Sequence, residues 1–325
     1  MMIKVGILGC ADIAFRRFLP SIKQVEGIEA VAVAEEYDKE KLPRFCEEYG
    51  LEAEESFSAL MSRQDIDALY IPQPPALHYP WARKALELGK HVLLEKPSTM
   101  AYDDSKNLVE LAGEKGVALQ ENYMFQYHSQ IAAIKGMLSD RVIGDIRFLR
   151  AVFCFPRRLR NDFRYSREMG GGALLDAGGY PVKLAAMLLG NQLRVKTAKL
   201  HRLMEFDVDM YGEAVLENAA GKQIHIGFGM DCFYQCCLEA LGSRGRLYTN
   251  RIFTAPDGYR PTITLEKADK TEQIELEGDA AFQRSIERFL RGIHKEGDRG
   301  SMYEEILVQA KLIDSIRELG IGESK

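Results

Sequence analysis

Short apolar runs alternate with amphipathic stretches in the first third of the chain. The stretch after each run repeats its apolar positions every three or four residues, as a helix does. The runs lie at residues 3–8, 29–34, 68–71, 91–94 and 117–120. Because strands that alternate with helices form parallel sheets, this pattern predicts an α/β domain with a doubly wound sheet.

The pattern changes after residue 121. A helical stretch near 129–138 leads into strand-like runs rich in aromatic residues, and clear strand–helix repeats stop. The runs lie at 146–155, 196–204, 214–216, 223–228 and 235–241, and helical stretches follow at 280–293 and 303–317. We expect an α+β domain with an open, mainly antiparallel or mixed sheet. The predicted domains are 1–121 and 122–325, with the last helices able to pack back on the first domain.

A tight turn follows the first strand. The strand ends at Gly9, and Ala11 and Ala14 hold the places where the dinucleotide-binding fingerprint has its other glycines. Alanine still lets a pyrophosphate approach the backbone, and the start of the next helix would offer it N–H groups. Gly9, Ala11, Asp12 and Ile13 therefore form a candidate phosphate site in a Rossmann domain. A strand–turn–helix without a ligand is the alternative.

An acidic residue ends the second strand. Glu35 lies about 20 residues or a little more beyond the turn, where a carboxylate can accept hydrogen bonds from the ribose hydroxyls of NAD. The same charge would repel the additional phosphate of NADP. Glu35 therefore favours NAD, although charged loops also carry acids for solubility alone.

A lysine follows the fourth apolar run, in the segment Glu95-Lys96-Pro97. Pro97 disfavours helical geometry at Lys96, so the lysine should stay extended. Its ammonium would then lie at the carboxyl end of a parallel strand, where doubly wound sheets bind their ligands.

The stretch 170–183 combines glycines with a carboxylate, a phenol and an ammonium. If it is helical, Asp176, Tyr180 and Lys183 follow i, i+4, i+7 spacing and share one face. Two glycines and a proline within it each weaken a helix, the glycines by about 1 kcal/mol apiece. We therefore expect a close backbone approach or a functional face here. An ordinary helix start with a loose first turn is the alternative.

Composition and charge exclude several classes of function. The chain has 325 residues, which favours two domains, and a formal net charge of −5. This charge argues against binding to nucleic acid or to an anionic membrane. No apolar run reaches the roughly 18–20 residues that span a bilayer, and no charged leader precedes the first strand.

The six cysteines lack paired C-x-x-C spacing. Cys232, Cys236 and Cys237 are close in sequence but lack a convincing ligand set with histidine, so we predict buried strand cysteines and no metal site. Reduced thiols of this kind indicate a cytoplasmic protein.

The assembled pattern resembles the glucose–fructose oxidoreductase, inositol dehydrogenase and MocA family over essentially the whole chain. The resemblance is carried by the glycine turn, a Pro-rich loop at 72–75 with His78, Glu95-Lys96-Pro97, and Asp176-x-Gly178-x-Tyr180. Many members have a histidine in place of Tyr180 and an acid in place of Lys183. Members with the tyrosine include sugar-nucleotide 3-ketoreductases, which segments 9–17, 121–130 and 162–165 resemble most.

The resemblance implies an NAD(P)-dependent oxidoreductase that moves hydride between nicotinamide and a carbonyl or hydroxyl of a sugar or sugar nucleotide. The 3-ketoreductases usually take NADPH, whereas Glu35 favours NAD, so both cofactors stay open. The open sheet face implies a homodimer or homotetramer. The implied cofactor-binding residues are Gly9, Ala11, Asp12, Ile13, Glu35, Pro72, Pro74, His78, Glu95, Lys96 and Asn122.

The implied catalytic residues are Tyr180, Lys96 and Asp176. Tyr180 would give a proton to the carbonyl oxygen, since an ammonium within roughly 4–6 Å lowers the pKa of a phenol. Lys96 could supply that ammonium or bind the oxyanion directly. Asp176 would hold a sugar hydroxyl or orient Lys96. Candidate substrate contacts are Arg164 (for a diphosphate), Tyr165 and Lys183, with Arg157, Arg158 and Arg160 as further candidates for the diphosphate.

Two other functions stay open on the sequence. One is a dehydrogenase of a free sugar, a polyol or a dihydrodiol on the same scaffold. The other is a dinucleotide-binding sensor or regulator without turnover. The presence of both Lys96 and Tyr180 argues against the sensor, because such a protein needs neither residue.

Overall fold

The structure is a computed structural model that describes residues 2–320. Met1, the first residue of the predicted first domain, and residues 321–325, the end of the predicted second domain, lie outside the described residues. The chain forms two compact units. The first unit is the chain up to Asn122 together with Phe282–Ala310, and the second is Tyr123–Ala281 together with the chain from Lys311 onward.

The first unit contains a parallel sheet. Its strands are β1 (Ile3–Leu8), β2 (Ile28–Ala34), β3 (Glu52–Glu54), β4 (Ala68–Ile71), β5 (His91–Leu94) and β6 (Leu119–Glu121). Their order is β3-β2-β1-β4-β5-β6, which confirms the predicted doubly wound Rossmann fold. The strand order reverses between β1 and β4, so the turns that follow these two strands are where such sheets bind ligands.

One strand of this sheet is not predicted by the sequence. β3 lies at the sheet edge, pairs only with β2 and consists of two glutamates and an alanine, so it carries no apolar run. The segment 68–71 is therefore the fourth strand rather than the third.

The second unit contains an eight-stranded mixed sheet. Its strands are β7 (Ile146–Cys154), β8 (Leu193–Arg202), β9 (Asp209–Asn218), β10 (Gln223–Gly229), β11 (Gln235–Gly242), β12 (Arg246–Asn250), β13 (Thr262–Glu266) and β14 (Thr271–Glu275). Their order is β14-β13-β12-β11-β7-β10-β9-β8, and only the β7–β10 pair is parallel. The predicted mainly antiparallel or mixed sheet is confirmed. β12, β13 and β14 are not predicted, because each is only five residues long and carries no run of apolar residues.

Helices connect and cover the strands. They are α1 (Leu19–Ile22), α2 (Leu42–Tyr49), α3 (Phe57–Ser62), α4 (Pro75–Glu87), α5 (Tyr102–Lys115), α6 (Ser129–Ser139), α7 (Gly179–Leu189), α8 (Ala281–His294) and α9 (Arg299–Gly320). Single turns of π-helix precede α1 at Ala14–Phe18 and α7 at Leu174–Gly178. Such turns are rare in proteins overall, and where they do occur they often lie at functional sites.

A continuous apolar core fixes the parallel sheet. Leu8, Leu69 and Leu94 come from neighbouring strands and are fully buried, together with Phe57 from α3 and Ile306 from α9. Burying a side chain of this size contributes about 1.5–3 kcal/mol. The strand ends, and the turns that follow them, are therefore held in place by the core. Within residues 2–320, no helix is both long and apolar enough to cross a bilayer.

Candidate active site

The turn after β1 depends on a glycine. Gly9 has a φ of 112°, and its N–H donates to the carbonyl of Ala34 at 2.9 Å. A β-carbon at this position would lie 1.8 Å from the Gln73 amide nitrogen, which donates to the carbonyl of Leu8 at 2.7 Å. Gly9 therefore lets the loop after β4 lie directly against the turn. Gly9 thus has the role of the first glycine of the dinucleotide-binding fingerprint, which is to form the tight turn.

Glu35 holds this turn from within. Glu35 is 5 % exposed, and its carboxylate accepts hydrogen bonds from the N–H groups of Cys10 (2.5 Å), Tyr37 (2.8 Å) and Asp38 (3.2 Å). Burial, followed by the charge of Glu35, raises the pKa of the Cys10 thiol to about 12. Glu35 thus connects the end of β2 to the glycine turn, and its contact with a ribose stays a prediction.

The remaining residues of the turn begin the first helix. Ala11 is half-buried, and Ile13 directly precedes the π turn. Asp12 is exposed and forms an ion pair with Arg16 at 3.1 Å. The first N–H groups of a helix lack partners within that helix, so this end can bind a phosphate.

His78 joins two loops at the carboxyl edge of the sheet. Its ring is fully buried within α4, with Nε2 2.6 Å from the carbonyl of Gln73 and Nδ1 2.7 Å from the carbonyl of Pro97. Burial lowers the pKa of His78 to about 4, against the two carbonyls, which favour the charged ring. His78 therefore ties the Pro-rich loop, in which Pro72 is buried and Pro74 precedes α4, to the residue after Lys96.

Glu95 lies at the centre of a buried polar network. Its Oε1 accepts hydrogen bonds from the Tyr70 hydroxyl (2.8 Å) and from the Asn122 amide (2.7 Å). The Asn122 carbonyl oxygen in turn accepts one from Ser285 at 2.7 Å. Burial raises the pKa of Glu95, and the hydrogen bonds from Asn122 and Tyr70 oppose this rise. Glu95 and Asn122 thus fix the end of β5 through bonds to the protein itself.

Lys96 follows this network directly. It is half-buried, its N–H donates to Glu95 Oε2 at 3.3 Å, and the Lys96–Pro97 peptide bond is cis. Its ammonium opposes the rise that burial causes in the pKa of Glu95 and adds to the fall that burial causes in the pKa of His78. The predicted position of Lys96, just beyond the carboxyl end of a parallel strand, is correct.

Asp209 fixes the start of the helix that carries Tyr180. Its Oδ2 accepts a hydrogen bond from the Leu174 N–H at 2.6 Å. Gly172, with a φ of 117°, leaves room for this carboxylate, since a β-carbon there would lie 2.5 Å from Asp209 Oδ1. At Gly171 a β-carbon would lie 2.3 Å from the Arg164 carbonyl oxygen. Both of these approaches occur within the protein, at the start of the helix. At Gly178, one of the two helix glycines on which the prediction rests, a β-carbon would lie 3.1 Å from the Phe228 ring.

Tyr180 is surrounded by aromatic rings. Its ring centroid lies 5.2 Å from Tyr123, 5.8 Å from Phe125, 4.9 Å from Phe153 and 5.9 Å from Phe253. Only 9 % of Tyr180 is exposed. Each aromatic pair contributes about 0.5–1.5 kcal/mol beyond its buried area, so the phenol ring is held firmly in one orientation.

Lys183 lies one turn further along the same helix and is 3 % exposed. Its ammonium lies 6.0 Å from the centroid of the Tyr123 ring, which also packs against Tyr180. The predicted shared face of Tyr180 and Lys183 is therefore directed into the second unit.

Asp176 is paired with an arginine. Arg164 Nε donates to Asp176 Oδ2 at 2.7 Å, and Arg164 Nη1 donates to Asp162 Oδ1 at 3.0 Å. Two carboxylates therefore neutralise Arg164. The Tyr165 hydroxyl accepts a hydrogen bond from the Arg158 N–H at 2.7 Å, so Tyr165 supports the neighbouring loop.

Several residues that shape the site are not found by sequence reasoning. Gln73 could be suspected from its place in the Pro-rich loop. Ser285 reaches Asn122 from 163 positions away, and Asp209 and Phe253 also come from distant strands or loops. No local pattern marks such contacts. Within residues 2–320, no cluster of three or more His, Cys, Asp or Glu side chains could hold a metal ion, and the six cysteines are free.

Comparison with protein families identifies both parts of the chain. Residues 3–123 match the model of the oxidoreductase family with an NAD-binding Rossmann fold, and residues 131–248 match the GFO/IDH/MocA C-terminal domain. The chain belongs to the GFO/IDH/MocA oxidoreductase family. The predicted family, fold and oxidoreductase class are confirmed.

Sequence relatives within the GFO/IDH/MocA family cover nearly the whole chain. A dTDP-3,4-didehydro-2,6-dideoxy-alpha-D-glucose 3-reductase of Streptomyces violaceoruber is 40 % identical over 97 % of this chain and 95 % of its own. A D-xylose 1-dehydrogenase (NADP(+)) of Haloferax volcanii is 27 % identical over 96 % of each chain.

The crystal structure of the 3-ketoreductase KijD10 from Actinomadura kijaniata, in complex with NADP and TDP-benzene, matches with a TM-score of 0.94. It is 39 % identical and covers 98 % of each chain. Structures of KijD10 variants match as well, with a tyrosine replaced by phenylalanine or a lysine replaced by alanine or glutamate. That lysine and tyrosine are as far apart in their chain as Lys96 and Tyr180 are here.

The buried histidine predicts a pH dependence of stability. In the unfolded chain His78 takes up a proton as the pH falls through about 6.5, whereas in the folded chain it does so only near pH 4. The free energy of unfolding should therefore fall between pH 7 and pH 4, with His78 responsible for as much as about 3 kcal/mol. His78→Gln should remove this share from urea-unfolding curves measured across that range. His91 is half-buried, and burial lowers its pKa to about 4 as well, so the matched variant His91→Gln should remove a comparable share. Equal slopes for wild type and His78→Gln would contradict the assignment.

Proposed function

We propose that this chain is an NAD(P)H-dependent 3-ketoreductase of a sugar linked to a nucleoside diphosphate. The observation that carries the proposal is the pair Lys96 and Tyr180, which occur with the spacing of the two residues varied in KijD10. The 40 % identity over nearly the full length to a dTDP-sugar 3-reductase supports the same substrate class. In this proposal the first unit binds the dinucleotide and the second binds the sugar.

The cofactor is held by the glycine turn. The tight turn at Gly9, which a β-carbon would disrupt, fits the first glycine of a dinucleotide site, and the amides of Ala11, Asp12 and Ile13 would donate to a bound pyrophosphate. The nicotinamide end would be bordered by residues of the segments that follow β4, β5 and β6, which are Pro72, Pro74, His78, Glu95, Lys96 and Asn122. When bound, the reduced nicotinamide supplies the hydride for the ketone carbon.

Tyr180 supplies the proton. As hydride reaches the carbonyl carbon, negative charge develops on the oxygen, and a phenol hydroxyl can protonate it. The aromatic rings around Tyr180 hold its hydroxyl in one orientation, which reduces the reorganisation needed during reaction. The ammonium of Lys96 favours release of this proton and stabilises the oxyanion.

Asp176 and its neighbours position the sugar. Arg164 fixes the Asp176 carboxylate, which in this proposal accepts a hydrogen bond from a sugar hydroxyl. Lys183 is buried, with its ammonium 6.0 Å from the centroid of the Tyr123 ring, so it is the least direct of the predicted substrate contacts.

We further propose an assembly and a location. The outer face of the eight-stranded sheet, which carries half-buried side chains such as Cys237 and Tyr248, would pair two copies into a homodimer or homotetramer. A monomer in sedimentation velocity at micromolar concentration would contradict this.

The six free thiols fit a reducing cytoplasm.

Substitution of Tyr180 tests the proposed reaction. Tyr180→Phe keeps the ring but removes the hydroxyl, so kcat with a dTDP-linked 3-keto sugar should fall by about 10²–10⁴. Affinity for the cofactor should stay near that of wild type. Lys96→Ala should also lower kcat strongly. Tyr211→Phe, at an exposed tyrosine of β9, is the matched control and should leave kcat unchanged.

The alternatives give distinct outcomes in the same assays. Unchanged turnover in Tyr180→Phe would remove Tyr180 from the chemistry. Turnover of free D-xylose without any activity on sugar nucleotides would favour the dehydrogenase function. Cofactor binding with no turnover of either substrate class would favour the sensor.

The cofactor preference forms a separate prediction. Carboxylates of Glu35 and Glu36 lie at the end of β2, where the 2′-phosphate of NADP would add further negative charge. We expect NADH to bind about fivefold or more tightly than NADPH in fluorescence titrations, because repulsion between like charges that lie close together costs about 1 kcal/mol or more, which corresponds to about fivefold in affinity. Glu36→Gln keeps an oxygen that can accept the hydrogen bond from the Phe57 N–H but removes the negative charge. The affinities for NADH and NADPH should therefore become more alike in this variant. Tight NADPH with weak NADH would contradict this prediction.

A further inference from the structure

The proposed substrate carries a diphosphate, and we expect positive side chains of the protein to neutralise part of its negative charge. Arginine suits this task, because its planar guanidinium can donate two hydrogen bonds to phosphate oxygens. The inference that follows rests on the proposed function and asks which arginine of the second unit binds the diphosphate.

Two arginines near the Tyr180 helix are already neutralised. Arg164 is bound by Asp162 and Asp176, as described above. Arg157 lies 3.1 Å from Glu205 and 2.8 Å from Asp231, and its guanidinium lies over the Phe206 ring. A diphosphate near either arginine would also meet two carboxylates. The sequence-based assignment of Arg164 to a diphosphate is therefore not favoured by its surroundings.

Arg158 differs from these two. It is exposed, and among residues 2–320 no carboxylate forms an ion pair with it. Its guanidinium lies 5.3 Å from the centroid of the Phe155 ring, a cation–π arrangement that leaves its N–H groups able to donate outward. The positive charge of Arg158 is thus available to an anion.

The loop that carries Arg158 is held in a defined conformation. The Arg158 N–H donates to the Tyr165 hydroxyl at 2.7 Å, and the Tyr165 ring packs on Phe206 at 4.8 Å. Phe206 in turn lies beneath Arg157. Such fixed contacts reduce the entropy that is lost when a ligand binds.

A row of aromatic rings connects Arg158 to Tyr180. The Phe153 ring lies 4.9 Å from Tyr180 and 5.8 Å from Phe155, over which Arg158 stands. Phe153 lies at the end of β7, and Phe155 follows the strand directly, with its N–H still bonded to the Gly229 carbonyl of β10 at 3.0 Å. The two rings are two positions apart, so they face the same side. The row leads from the phenol outward to the guanidinium, in the order in which a sugar nucleotide presents its hexose and then its diphosphate.

We propose that Arg158 binds the diphosphate of the nucleotide sugar whose hexose ring lies at Tyr180. Phe155 presents the guanidinium, and Tyr165 fixes the backbone beneath it. Arg158 is therefore a residue for substrate affinity and for discrimination against free sugars, and it takes no part in the transfer of hydride or proton.

Arg158→Ala tests the proposal. With a dTDP-linked 3-keto sugar, KM should rise about tenfold or more with kcat within about twofold, the change expected for loss of one charged hydrogen bond at an open site. Binding of dTDP, measured by calorimetry, should weaken by the same factor, whereas binding of thymidine should not change. Arg158→Lys should restore part of the loss. Arg147→Ala, at another exposed arginine of β7, is the control and should match wild type.

The outcomes separate this proposal from the function on which it rests. If wild type does not reduce sugar nucleotides at all, the proposed function fails. If wild type reduces them and Arg158→Ala keeps the wild-type KM and dTDP affinity, the role of Arg158 is refuted and the proposed function stands. An equal loss of thymidine and dTDP binding would also overturn the proposal, because it would indicate disturbance of the loop rather than loss of a charge.

Discussion

Buried polar groups at the ends of parallel strands must find partners, and this constraint determines the shape of the first unit. Glu35 accepts backbone hydrogen bonds from the glycine turn, and His78 joins two loops through their carbonyls. Glu95 accepts hydrogen bonds from the Tyr70 hydroxyl and the Asn122 amide. An unpaired buried polar group costs about 1–3 kcal/mol, so these bonds determine how the loops lie. The position of Lys96 is a consequence of this network, since it directly follows Glu95.

The second unit meets a different constraint, which is to hold one phenol and to balance the charges around it. Aromatic rings from three separate parts of the chain surround Tyr180, and glycines let the start of its helix approach Asp209 and the Arg164 carbonyl. Charge is balanced locally, with Arg164 bound by two aspartates. Arg158 stands over the Phe155 ring, and no carboxylate within residues 2–320 forms an ion pair with it. In the proposal made above, the chemistry at the phenol and the recognition of the diphosphate therefore belong to separate residues.

Local signals in the sequence are sufficient for the fold class, the glycine turn and the position of Lys96, because each depends on neighbouring residues. β3 and the strands β12 to β14 are not predicted, since short, polar strands carry no apolar run. The inward orientation of Glu35 and the pairing of Arg164 depend on where the chain folds back. The bond from Ser285 to Asn122 joins positions far apart in sequence, and no periodicity marks it.

Transfer of deuterium tests the central claim most directly. The protein would be incubated with reduced cofactor, NADH and NADPH in turn, that carries deuterium at the transferred position of C4, together with a dTDP-linked 3-keto deoxysugar. The product would be examined by mass spectrometry and NMR. We predict one deuterium on C3 of the product sugar and its loss from the cofactor. Binding of cofactor and sugar nucleotide without reduction, or a reduced sugar that lacks deuterium, would contradict the account.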